Sequence, residues 1–158
     1  MRLNPYSLIR MSVKCKILPN HILLEQVSNL ISEGEDVVLR VKGESMMPFI
    51  HGDRDSVVLT HAYEVSVGDI VLCEIRPDKY VMHRIIVIRG RMLTLMGDGN
   101  YVDVEVCDTS SVRGVVVRFN RNGLTVDCSS IWYRRLSYLW VKLKPIRRIL
   151  LGVYKLFI

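Results

Sequence analysis

The sequence predicts a mainly β protein, in which a compact antiparallel β domain is preceded by one helix and followed by a helical tail. Three observations predict it. Between Asp36 and Cys128 the apolar residues fall into seven short runs rich in β-branched side chains. Turn-forming dipeptides separate those runs. Helical periodicity is confined to the two flanks. The chain therefore divides into an N-terminal segment (residues 1–35), a β domain (36–130) and a tail (131–158).

Asn20 can cap a helix whose apolar positions Leu23, Leu24, Val27, Leu30 and Ile31 follow helical spacing, and Gly34 is placed to end it. The strands are expected at Asp36 to Val41, Ser56 to Thr60, Ile70 to Ile75, Val81 to Ile88, Met92 to Met96, Val112 to Phe119 and Leu124 to Cys128. Gly52-Asp53, Gly68-Asp69, Pro77-Asp78, Gly97-Asp98 and Asn122-Gly123 supply turn chemistry between them. Asn122-Gly123, flanked by apolar runs, is the strongest hairpin signal in the chain. In the tail, Trp132, Leu136, Leu139, Leu143, Ile146, Leu150, Val153 and Phe157 alternate steps of four and three. Pro145 should kink or divide that segment, because it lacks a donor and clashes with the preceding turn.

A chain of 158 residues with 49% hydrophobic and 24% charged residues can bury a core without disulfides or metals. The net charge of +6 is unevenly placed. Residues 131–158 hold seven basic side chains and no acidic one, whereas the rest of the chain carries 15 basic and 16 acidic residues. A neutral body argues against a nucleic-acid-binding surface, so no nucleic-acid partner is expected. Two readings of the tail stand side by side. It packs on the β domain as a helical pair, or it rests as a basic amphipathic element on an anionic membrane surface.

Cys15, Cys73, Cys107 and Cys128 are scattered, and no pair has the spacing of a zinc site or redox motif. Reduced, partly buried thiols are expected, with no metal or cofactor. The longest uncharged run before Asn20, Leu3 to Ile9, contains Asn4 and Pro5, too short and polar for a signal-peptide core. No stretch reaches the roughly 18–20 apolar residues of a spanning helix. The expected location is cytoplasmic, with peripheral attachment to a membrane as the second reading of the tail.

Three segments carry candidate chemistry. In Val41-Lys42-Gly43-Glu44-Ser45-Met46-Met47-Pro48, a serine between glycine and proline at a strand end occupies exposed, rigid backbone, where a nucleophile can meet an extended peptide. Its plain alternative is a turn. His83 interrupts the apolar strand Val81 to Ile88, either as a base or as a satisfied core histidine. Gly97-Asp98-Gly99-Asn100-Tyr101-Val102-Asp103 bears two carboxylates, either functional or solvated in an Asx-turn.

The order and spacing of these residues resemble the serine peptidase superfamily that contains type I signal peptidases and LexA-type self-cleaving repressors. The boxes that carry the resemblance are Gly43-x-Ser45-Met46-x-Pro48, Gly52-Asp53, Gly68-Asp69-Ile70-Val71, His83-Arg84, Gly97-Asp98-x-Asn100 and Arg113-Gly114. They run from about Val37 to Phe119. Bacterial signal peptidases and LexA-type proteins have a lysine base where this chain has His83, whereas the endoplasmic-reticulum and archaeal signal peptidases have histidine, usually within His-Arg. The chain looks like the histidine type. A neutral imidazole, with a reference pKa near 6.5, deprotonates a serine without the desolvation a lysine needs.

The resemblance implies acyl transfer from a peptide to Ser45, with His83 as base and a carboxylate fixing its tautomer. It also implies one acid in the Gly97-Asp98 turn and a second about six positions on, where this chain has Val104. Asp103, one residue earlier, is the expected orienting acid, with Asp98 as the other candidate. Gly43 stands where many signal peptidases have a hydroxyl residue, so the oxyanion is expected to rest on backbone N–H groups around Gly43, Ser45 and Met46. Substrates would be extended leader or signal-like peptides with small residues before the scissile bond. A non-catalytic peptide-binding or regulatory module on the same fold is the alternative. A self-cleaving DNA-binding regulator fits less well, because the first 35 residues hold one helix and the lysine base is absent.

Overall fold

Helix α1 (Asn20–Ser32) ends as its glycine dictates. Gly34 takes φ +91°, its N–H bonds to Ile31 O, and the Glu35 N–H bonds to Leu30 O, closing a Schellman motif. This computed structural model describes residues 20–157. Cys15 and the uncharged run Leu3 to Ile9 lie outside the described residues. Val27 and Ile31 bury the inner face of α1, and fully burying such a side chain contributes about 1.5–3 kcal/mol.

Eight strands follow: β1 (Val37–Arg40), β2 (Ser56–Thr60), β3 (Ile70–Arg76), β4 (Lys79–Arg89), β5 (Met92–Met96), β6 (Glu105–Asp108), β7 (Val112–Arg121) and β8 (Leu124–Asp127). They form one antiparallel sheet in the order β1-β2-β7-β3-β4-β5-β6, with β8 paired to β7. The β7–β8 hairpin turns at Asn122 and Gly123, both at positive φ (50° and 80°), as the dipeptide predicted. All seven expected strands are present, and β6 is an eighth that the apolar pattern did not reveal.

Strand β3 divides two cores. Ile70 and Leu72 point into one with Ile31, Met46, Ile50, Val57, Leu59 and Tyr133, while Val71 and Cys73 point into the other with Ile85, Leu93, Leu95 and Cys107. Alternation along a strand buried on both faces explains its unbroken apolar run. The Cys73 and Cys107 sulfurs lie 3.0 Å apart, although β4 and β5 separate their strands, so the sheet is strongly coiled. Cys73, Cys107 and Cys128 are free thiols.

The tail forms helix α2 (Ile131–Lys142), a short 3-10 turn (Lys144–Ile146) holding Pro145, and helix α3 (Arg147–Lys155). Ser130 caps α2, its Oγ accepting from Tyr133 N–H. The faces are the reverse of what hydropathy indicates. Trp132, Leu136, Leu139, Ile146, Val153 and Phe157 are exposed, whereas Tyr133, Ser137, Trp140, Arg147 and Leu151 are buried. The inward face is chosen by the partners that a buried arginine in the body requires, described below. Tyr133 belongs to the same core as the strands, so residue 130 does not mark a boundary of that core. No helix among the described residues is long and apolar enough to cross a membrane.

Candidate active site

Ser45 sits in the loop leaving β1. Met46 and Ile50, at most 1% exposed, anchor that loop in the core and leave Ser45 outside it. The Phe49 and Ile50 N–H groups bond to Met46 O, and the Met47–Pro48 peptide is cis. Asp55 fixes the far end. Burial opposes its charge, yet hydrogen bonds from Arg54 and from His51 N–H hold its carboxyl below the usual range.

The Gly97-Asp98-Gly99 turn lies directly on this loop. Gly99 N–H donates to Ser45 O at 2.8 Å. A Cβ on Gly97 would stand 2.6 Å from Ser45 O, 3.2 Å from His83 Nε2 and 3.3 Å from Ser45 Cβ. Only glycine allows that approach. The same numbers gather Ser45 Cβ and His83 Nε2 around the Gly97 turn. Ser45 Oγ and His83 Nε2 are not hydrogen-bonded; catalytic hydrogen bonds often tighten only once substrate is bound.

His83 lies on β4 where β5 stops pairing with it, since Arg84 opposite Met96 is the last paired position. Its side chain is 12% exposed, and its Nδ1 lies 2.8 Å from Glu105 Oε2, at the start of β6. With Nδ1–H donating to that carboxylate, Nε2 is the free acceptor. The expected acid was Asp103 or Asp98, but the carboxylate that touches His83 Nδ1 is that of Glu105. Asp103 is exposed, engaged with Asn100 of its own turn. Asp98 is fully buried in an ion pair with Arg84. Glu105 is two residues beyond Asp103, at the first position of β6, and longer by one methylene.

Arg84 points away from His83 into the body and is 0% exposed. Its guanidinium donates twice to Asp98 (2.8 and 2.6 Å), to Gly68 O (2.7 Å), to Ser137 Oγ (2.8 Å) and to Tyr133 OH (3.2 Å). Phe49 lies across its face at 5.0 Å. One side chain thus joins the His83-Arg84, Gly97-Asp98 and Gly68-Asp69 boxes to helix α2.

A cavity of about 260 Å³ opens beside Ser45 and His83, walled by Leu23, Leu24, Leu39, Met46, Leu72 and Met82. The Met46 side chain forms part of this wall and of the core. Gly43, at φ +79°, does not line the cavity. Ser45 N–H makes no hydrogen bond among the described residues and remains available to an oxyanion. Among the described residues, β1 on one flank pairs with β2 alone, and on the other Lys79 to His83 of β4 pair only with β3. Two open strand edges therefore border the cavity. A second cavity of about 300 Å³ lies under α2 and contains neither Ser45 nor His83. No group of metal-binding side chains occurs among the described residues.

Residues 16–117 match the model of a protein family described as Peptidase S24-like. No curated protein sequence matches the chain.

Proposed function

The chain belongs to the Peptidase S24-like family, and from that premise we propose that it is a serine endopeptidase of the histidine-base type, cleaving extended leader or signal-like peptides. The observation that carries the reading is the His83 Nδ1–Glu105 contact of 2.8 Å, with Nε2 and Ser45 Cβ both beside Gly97. Ser45 Oγ attacks the peptide carbonyl while its proton passes to His83 Nε2. Glu105 holds the tautomer and stabilises the imidazolium that forms. Ser45 N–H receives the developing oxyanion. The imidazolium then protonates the leaving amine, and water, deprotonated by the same nitrogen, releases the acyl group from Ser45.

An extended peptide meets the open edges of β1 and β4 by main-chain pairing and sets an apolar side chain into the cavity between them. The test is acylation by a fluorophosphonate probe. Labelling of the wild-type protein, abolished in Ser45→Ala and strongly slowed in His83→Ala with both variants folded, is the expected result. A wild-type protein that binds peptide but is never labelled, and never cleaves, would overturn the enzyme reading in favour of a binding module.

A further inference from the structure

The tail turns its apolar stripe away from the body. Trp132 (80% exposed), Leu139, Ile149, Val153, Leu156 (83%) and Phe157 (83%) face outward. Around them stand Arg135, Lys142, Lys144, Arg148 and Lys155, all exposed, in a segment without a single acidic residue. Its one contact with a carboxylate is the loose pair of Arg134 with Asp69, at 3.7 Å. A second copy of this chain would set these cations against their own kind.

The display continues toward the catalytic candidates. Arg148 lies 5.9 Å from the Tyr101 ring, and Arg147 donates to Asn100 O, so α3 borders the turn that carries Gly97 and Gly99. That turn exposes Tyr101, Val102 and Val104. These apolar side chains are rimmed mainly by lysine and arginine, with Asp103 as an acidic side chain inside the patch, a balance that matches a bilayer surface bearing anionic headgroups.

We propose that the outer faces of α2 and α3, together with residues 101–104, form one surface that docks on anionic lipid, with the helices lying in the headgroup plane. Gly99 ties that turn to Ser45, so docking sets the nucleophile close to the bilayer, where peptides tethered to it are presented. The docking itself does not depend on the peptidase reading, and Ser45→Ala should bind as the wild type does.

The experiment is co-flotation of the full chain with vesicles of phosphatidylcholine, with and without phosphatidylglycerol, over a series of salt concentrations. Binding is expected only with the anionic lipid and should weaken as salt rises. Removing one interfacial cation lowers partitioning by roughly fivefold, so Arg135→Glu with Lys144→Glu should lose at least that at each position. Trp132→Ser with Phe157→Ser should also release the protein. All four side chains are exposed, so thermal unfolding should not move. Equal binding to neutral vesicles, no binding at low salt, or a dimer dispersed by the same substitutions would each overturn the proposal.

Discussion

Replacing Glu105 by glutamine keeps the shape of the His83 partner and removes its charge. The glutamine either turns its oxygen to Nδ1, preserving the tautomer without the charge, or turns its NH2 there and drives the imidazole proton to Nε2, which blocks the base. With charge centres about 4 Å apart and an effective dielectric near 20, a carboxylate stabilises an imidazolium by about 4 kcal/mol. At about 1.4 kcal/mol per tenfold, the loss in rate is at most about a thousandfold. The Glu105 side chain is 26% exposed, and water screening there brings the loss below that ceiling. The measurement is the rate constant for acylation by the fluorophosphonate, read beside thermal unfolding for Glu105→Gln, Asp103→Asn and Asp98→Asn. Glu105→Gln should be slow but stable, Asp103→Asn near wild type, and Asp98→Asn unstable. A wild-type rate for Glu105→Gln with a slow, stable Asp103→Asn would refute the assignment.

Arg84→Met leaves the Asp98 carboxylate buried without its counter-charge, at a cost of about 3–5 kcal/mol. For a chain of this length the unfolding midpoint should fall by roughly 6–20 °C, and an unchanged midpoint would show that Asp98 finds another partner. Gly97→Ala should fold yet lose most of its acylation rate, because the methyl group intrudes between Ser45 O and His83 Nε2; full activity would mean that this approach is not needed. Burial, and after it Arg54 and Arg121, hold the His51 imidazole below its ordinary 6.5, and in its neutral form it accepts the Tyr154 hydroxyl hydrogen bond. The unfolded chain therefore takes up this proton first as the solution is acidified, so this part of the stability is full above about pH 6.5 and is lost as the pH falls through that value. Unfolding midpoints of wild type and His51→Gln should converge in acid, and parallel curves would discard the link.

Most of the sheet was legible because its turns announce themselves: Asn122-Gly123 fixed the β7–β8 hairpin, and the Gly-Asp pairs bounded the strands before and after Ser45 and His83. Strand β6 escaped notice because Glu105-Val106-Cys107-Asp108 is four residues long, with an acid at each end and one buried side chain. The acid that touches His83 was hidden with it. Asp98 misled for a different reason. A carboxylate in a glycine-rich turn reads as solvated or catalytic, and nothing local indicates that Arg84, fourteen residues earlier, neutralises it inside the body. The tail misled in the same way, since Ser137 looks like an outward-facing residue until the buried guanidinium it serves is known.

The arginine cluster also imposes an order of events on biosynthesis. Ser45, His83 and Glu105 are polymerised before Tyr133 and Ser137, and at about 5–20 residues per second the interval is on the order of seconds. During it Arg84 has Asp98 and Gly68 O but not its two partners on α2, and Phe49, four residues after Ser45, lacks the Tyr133 and Trp140 rings that later pack edge-on against it. The nucleophile loop of a nascent chain is thus held from one side alone. The loop that carries Ser45 is clamped from both sides only after α2 has been added to the chain.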